Sequence, residues 1–169
     1  MVNREIERKF LVRMPSEAVL AAAADITQIE QTYLAAKPGE TERVRKRGRA
    51  GDWHFYHTIK RKITDISREE YEREITETEY RALLQRRDRE RNTVYKTRYV
   101  LEYRGQSFEL DVYPFWQEQA VLELELSDEE QAIDFPPELE LLRELTHDKR
   151  YTNASLAKTI PEEDQKESV

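Results

Sequence analysis

In Glu5-Ile6-Glu7-Arg8-Lys9 two carboxylates and an ammonium group fall at alternate positions. On a β-strand all three would project from one face. Carboxylates grouped in this way suit hard divalent cations, which prefer oxygen ligands, whereas a lysine beside them suits an anion. The alternation returns in Arg43-Val44-Arg45, around Lys60, and in Glu70-Tyr71-Glu72, Lys96-Thr97-Arg98, Glu109-Leu110-Asp111 and Glu123-Leu124-Glu125. A metal-bound polyphosphate satisfies both signs at once. Its phosphoryl oxygens take the arginines and lysines, and its metal ions bridge them to the carboxylates. The chemistry such a set supports is attack on phosphorus, helped mainly by positioning and charge neutralisation.

These residues need strands to hold them, and the period-two pattern predicts strands near 3–13, 27–36, 40–49, 52–63, 66–75, 92–104, 106–113 and 119–127. The clearest are Phe108 to Val112 and Leu122 to Leu126, apolar at even positions and acidic between. Helices are expected from Ser16 to Ala24, after the Thr76/Glu79 capping box, and after a second such box at Ser127/Glu130 ahead of Ile133. Past Pro136 and Pro137, the residues Leu139, Leu142 and Leu145 are expected to dock on the sheet, with Asn153 capping Ala154 to Lys158. If the apolar strand faces pack on helices, the charged faces must line a solvated cavity, since unpaired charge is too costly for a dry core.

The expected fold is therefore α+β, mainly β: an eight-stranded antiparallel β-barrel, a tunnel, with helices packed on its outside. Its lumen would gather Glu5, Glu7, Lys9, Arg43, Arg45, Lys60, Glu70, Glu72, Lys96, Arg98, Glu109, Asp111, Glu123 and Glu125. Arg47 and Arg49 are read as surface charge, and His54, His57 and His147 as packing or surface residues. Tyr33, Trp53 and Trp116 stay open between wall packing and substrate contact.

The 169 residues suit one domain, taken as 1–160, with 161–169 as a flexible tail. Charged residues make up 37% of the chain and hydrophobic ones only 38%, but the apolar positions are periodic, which argues against disorder. The lack of cysteine excludes disulfides and thiolate metal sites, and the net charge of −7 disfavours a nucleic-acid partner. No long apolar run or leader pattern is present, so the expected location is cytoplasmic, without membrane association.

The blocks Glu5-x-Glu7-x-Lys9, Arg43-x-Arg45, Thr58-Ile59-Lys60, Glu70-Tyr71-Glu72, Lys96-Thr97-Arg98-Tyr99, Glu109-Leu110-Asp111, Glu123-Leu124-Glu125 and Asp148-Lys149-Arg150-Tyr151 follow one another in an order that resembles the CYTH superfamily of triphosphate tunnel metalloenzymes. The resemblance spans residues 3 to about 158. It implies a divalent-metal-dependent triphosphatase using Mg²⁺ or Mn²⁺, acting on inorganic triphosphate and, more loosely, on nucleoside triphosphates. Alternatives within the resemblance are a class IV adenylate cyclase and a thiamine triphosphatase; a non-catalytic polyphosphate or nucleotide binder is a further one. It implies Glu5, Glu7, Glu123, Glu125 and Asp111 as metal ligands, and Lys9, Arg43, Arg45, Lys60, Lys96, Arg98 and Lys149 as the phosphate clamp. Lys9, Glu72 and Asp111 are the implied catalytic residues. The implied partner is a small-molecule triphosphate; a homodimer is left open.

Overall fold

A computed structural model describes residues 2–64 and 66–164. Eight antiparallel strands close into a barrel: β1 (Val2–Arg13), β2 (Asp25–Leu34), β3 (Glu40–Arg49), β4 (Asp52–Lys62), β5 (Ser67–Ile75), β6 (Val94–Tyr103), β7 (Gln106–Val112) and β8 (Gln119–Glu125). The order around the wall is β5-β4-β3-β2-β6-β7-β8-β1, and β1 closes the ring by pairing with β5 through its first residues. The rest of β1 pairs with β8, setting Glu7 opposite Glu125 and Lys9 opposite Glu123. A short ninth strand, β9 (Leu141–Glu144), adds to β1 beyond the end of β5. Docking of Leu142 and its neighbours on the sheet was foreseen, but not the strand; four residues without alternation carry no strand signal.

Apolar residues of the outer face make two cores. One joins Phe10, Val12, Phe108, Leu110, Leu122 and Leu124 beneath helix α1 (Glu17–Ala21) and the segment carrying Ile133, Phe135 and Leu139. The other joins Leu34, Val44 and Ile75 beneath Tyr80 of helix α2 (Glu77–Leu83). Leu122 is fully enclosed, which is worth about 1.5–3 kcal/mol for a side chain of its size. Ser16 caps α1, and the Thr76/Glu79 capping box opens α2 as expected.

The second box forms no helix. The backbone N–H and hydroxyl of Ser127 both donate to Gln131, and Asp128 accepts from the N–H of Glu130, so local side-chain bonds make a turn ahead of the two prolines. The cap of helix α3 (Asn153–Leu156) is Thr152, one residue before the expected Asn153. Of the expected tail, Pro161 accepts from the Trp116 indole, Glu163 from the N–H of Glu118, and Asp164 binds Arg143; residues 165–169 lie outside those described.

A third apolar cluster lies inside the barrel. Leu11, Tyr33, Val94 and Val121 occupy the lumen-facing parity of four strands and pack with Tyr113 just past β7, Trp116, Tyr151 of the 3-10 turn Lys149–Tyr151, and Leu156 and Ala157 at the end of α3. They plug one end of the barrel. One end of the expected tunnel is filled, because the aromatic and aliphatic residues that continue each charged series pack together rather than staying wet.

Candidate active site

Above the plug the lumen is polar, and its two signs are segregated. Acidic side chains sit on β7 (Glu109, Asp111), β8 (Glu123, Glu125), β1 (Glu5, Glu7) and β5 (Glu70, Glu72), four neighbouring strands. Basic ones sit on β4 (Lys60), β3 (Arg43, Arg45) and β6 (Lys96, Arg98), with β2 between β3 and β6. Lys9 is a buried cation within the acidic arc.

Ion pairs stitch the arcs together where they meet. Asp111, fully buried, takes Lys96 at 2.8 Å on one oxygen and Arg98 in a two-pronged contact at 2.8 and 3.0 Å; Arg98 also reaches Glu109. At the other seam Arg45 donates to Glu72 at 2.7 Å, Thr58 donates to the same oxygen, and Lys60 lies 3.1 Å from Glu5. Lys9 faces Glu123 at 3.3 Å and donates to the carbonyl of Tyr151 on the plug. Thr58, Gln31 and Tyr33 complete this wall; the sequence leaves Tyr33 open between packing and substrate contact and does not single out Gln31, since a lone uncharged polar residue in a strand carries no such signal. Gln31 donates to the Tyr33 hydroxyl, and its own carbonyl oxygen finds no partner.

The electrostatics explain what such a lumen lacks. Burial raises the Glu5 and Glu125 carboxyls above the usual range, and neighbouring acids add to it: Glu70 for Glu5, and Glu5, Glu7 and Glu109 for Glu125. Repelling carboxylates of this kind fit a divalent cation held between them. Among the described residues no three carboxylates are already drawn together as a cage. On the opposite arc, the Nε–H groups of Arg43 and Arg45 are buried without a partner. Burial, then Arg43 and Arg98, pushes Arg45 down to about 10 against the pull of Glu72. Donors buried without acceptors, among mutually repelling cations, fit a polyanion.

Lys9 is the exception. Burial works against its charge, yet Glu123, Glu7 and Asp111 together hold its pKa above the ordinary value. Burial lowers Lys96 to about 7, with Arg98 adding to it, although Asp111 is in contact; Asp111 itself is held well below the carboxylate range, first by Arg98 and then by Lys96. The two partners shift unequally because Arg98 already supplies the charge that Asp111 needs.

A stability signature follows for the ligand-free protein. Native Lys96 loses its proton near pH 7 but an unfolded lysine keeps it to about 10.4, so the unfolded state binds more protons in between and stability rises with pH. Thermal melts between pH 7.5 and 9.5 should show a climbing Tm in the wild type and none in Lys96→Met. A flat wild-type profile would refute the assignment.

The structure brings together every expected site residue except Lys149. That side chain is exposed and borders a separate cavity of about 590 Å³ with Arg143, Arg150 and Lys158. The 3-10 turn sends Tyr151 into the plug, and Arg150 is fixed by Asp148, so Lys149 is turned outward. Arg47, read as surface charge, has the lumen parity of Arg43 and Arg45 and is half-buried; Arg49 is exposed and bonded to Asp25. His54 and His57 pair with carboxylates, and Trp116 belongs to the plug.

The family model described as CYTH domain matches residues 3–156. The chain is 36% identical over 160 residues to an inorganic triphosphatase of Nitrosomonas europaea, covering 93% of this chain and 99% of that protein. It is 33% identical over 158 residues to an inorganic triphosphatase of Acetivibrio thermocellus, covering 93% and 95%. A solved inorganic triphosphatase structure superposes with TM-score 0.59 at 32% identity, over 94% of this chain and 97% of that one. A Pyrococcus horikoshii protein at 23% identity and TM-score 0.55, over 73% and 80%, shares the fold.

Proposed function

Since this chain belongs to the CYTH domain family, we propose that it hydrolyses inorganic triphosphate to phosphate and pyrophosphate, with looser activity on nucleoside triphosphates, using Mg²⁺ or Mn²⁺. The observation that carries this reading is the division of one lumen into a basic arc and an acidic arc facing each other. A bare anion site would need the first arc alone. Similarity to inorganic triphosphatases over nearly the whole chain supports the same reading.

In this reading Arg43, Arg45, Lys60, Lys96 and Arg98 grip the phosphoryl oxygens along one wall, and Lys9 reaches them from the other. Glu5, Glu7, Glu123 and Glu125 hold the divalent cations, whose contribution is to neutralise phosphoryl charge and lower the pKa of bound water. Asp111 is taken by Lys96 and Arg98, so its role is to lock those two cations rather than to bind metal. Glu72, ionised because Arg45 and Thr58 outweigh the effect of burial, orients Arg45. The cationic wall stabilises charge spread over the transferring group without reorganising, which is the main contribution a protein makes to phosphoryl transfer. The reaction is assigned to the cytoplasm, and among the described residues no helix is long and apolar enough to cross a membrane.

Purified protein supplied with triphosphate, ATP or thiamine triphosphate and either metal, with products separated, tests the reading. Phosphate plus pyrophosphate from triphosphate supports it; cyclic AMP from ATP, or tight binding without turnover, would replace it. Arg45→Ala should lower kcat/KM by about 10²–10³, whereas Arg87→Ala, at an exposed position, should leave it unchanged. Equal effects would remove Arg45 from the clamp.

A further inference from the structure

Along β3 the lumen-facing arginines run in register from the plug to the mouth. Arg43 stands opposite Tyr33 of the plug, Arg45 opposite Gln31, and Arg47 opposite Ile29, which is itself buried on the lumen face. Each step of two residues advances the series by roughly 7 Å along the strand. Gly48 follows at φ +143, where a Cβ would lie 2.1 Å from the Asp52 carbonyl oxygen, and Arg49 beyond it, at the same parity, is exposed and already bonded to Asp25 and the Ile26 carbonyl.

Arg47 also differs in its partners. Lys9, Arg45, Lys60, Lys96 and Arg98 each have a carboxylate within 3.3 Å. Half-buried Arg47 has no side-chain hydrogen-bond or charged partner among the described residues, and half-buried Tyr56, which faces Arg45 across the β3–β4 ladder, has none either. A guanidinium and a phenol, both donors, thus stand unspent on neighbouring strands, Tyr56 level with Arg45 and Arg47 one step beyond it.

We propose that Arg47, with Tyr56 beside it, forms an additional anion subsite at the open mouth, which takes the fourth phosphoryl group of a linear polyphosphate. The inference rests on the triphosphatase reading for the placement of the first three groups. A partly desolvated guanidinium without an acceptor is unfavourable, and a phosphoryl oxygen pair matches its fork better than a neutral organic group does. Because the plug closes the far end, a longer chain can extend only past Arg47. Chains of four phosphoryl groups are then held better than chains of three.

The test is binding of tripolyphosphate and tetrapolyphosphate to metal-free protein by calorimetry, followed by KM for both with Mg²⁺. Wild type should bind tetrapolyphosphate about tenfold tighter, the gain expected of one charge-assisted contact. Arg47→Gln should erase that advantage while moving tripolyphosphate affinity less than about twofold, and Arg47→Lys should keep part of it. Equal loss for both chains, or none for either, overturns the subsite, as does an effect confined to ATP. Wild-type protein that binds both chains but hydrolyses neither would sink the triphosphatase reading and leave the length comparison standing.

Discussion

Glu125→Gln should lose metal-dependent turnover, by more than the 10–100-fold typical of losing an outer-shell metal partner, while melting at the same temperature as wild type or higher. Both effects have one cause. Glu125 sits in register with Glu7 and close to Glu5 and Glu109, and burial together with these neighbours raises its pKa. A carboxyl whose folded pKa is raised resists ionisation in the native state, so its charge is a liability to the empty fold and an asset only when a cation answers it. Glutamine keeps the shape and drops the charge. A melt series with and without Mg²⁺ or Mn²⁺ separates the two effects: the metal should raise the Tm of wild type but not of the variant. Turnover within twofold of wild type, or an undiminished metal shift, would remove Glu125 from the metal site.

Asp111→Asn should produce the largest loss of stability in the molecule, about 3–5 kcal/mol, because it leaves Lys96 and Arg98 buried together without a counter-charge. At roughly 2–4 °C per kcal/mol for a chain of this length, the Tm should fall by on the order of ten degrees. Tripolyphosphate at about 100 times its Kd should return roughly 2.7 kcal/mol, since its oxygens replace the missing acceptor. The exposed Asp134→Asn is the control and should move stability by less than about 0.5 kcal/mol. A loss no larger than that of the control would mean that the two cations are stabilised elsewhere.

Much of the barrel could be read from local pattern. A strand such as Leu122 to Leu126 shows its two faces directly, because alternate side chains leave a pleated backbone on opposite sides whatever the strand later pairs with. For the same reason, fourteen lumen residues could be chosen before any pairing was known, and all of them lie on the lumen parity of their strands. The misses have equally local causes. Ser127 and Glu130 carry a capping signature, but Gln131 and Asp128 offer the same backbone groups closer partners. Arg47 looked like one more charge in the run Arg43 to Arg49, since composition cannot tell a half-buried arginine from an exposed one.

Alternation along the chain decided which residues would share a face and that both signs would meet water together, for a face is a property of a few consecutive residues. Strand order decided the rest. Sequence neighbours β5 and β6 end up far apart on the wall, while β1 joins β5 to β8 and completes an acidic arc from four strands spread between residues 2 and 125. The opposition of acid to base, the plug that fills one end and the outward turn of Lys149 come from contacts between segments distant in sequence, which no local period encodes.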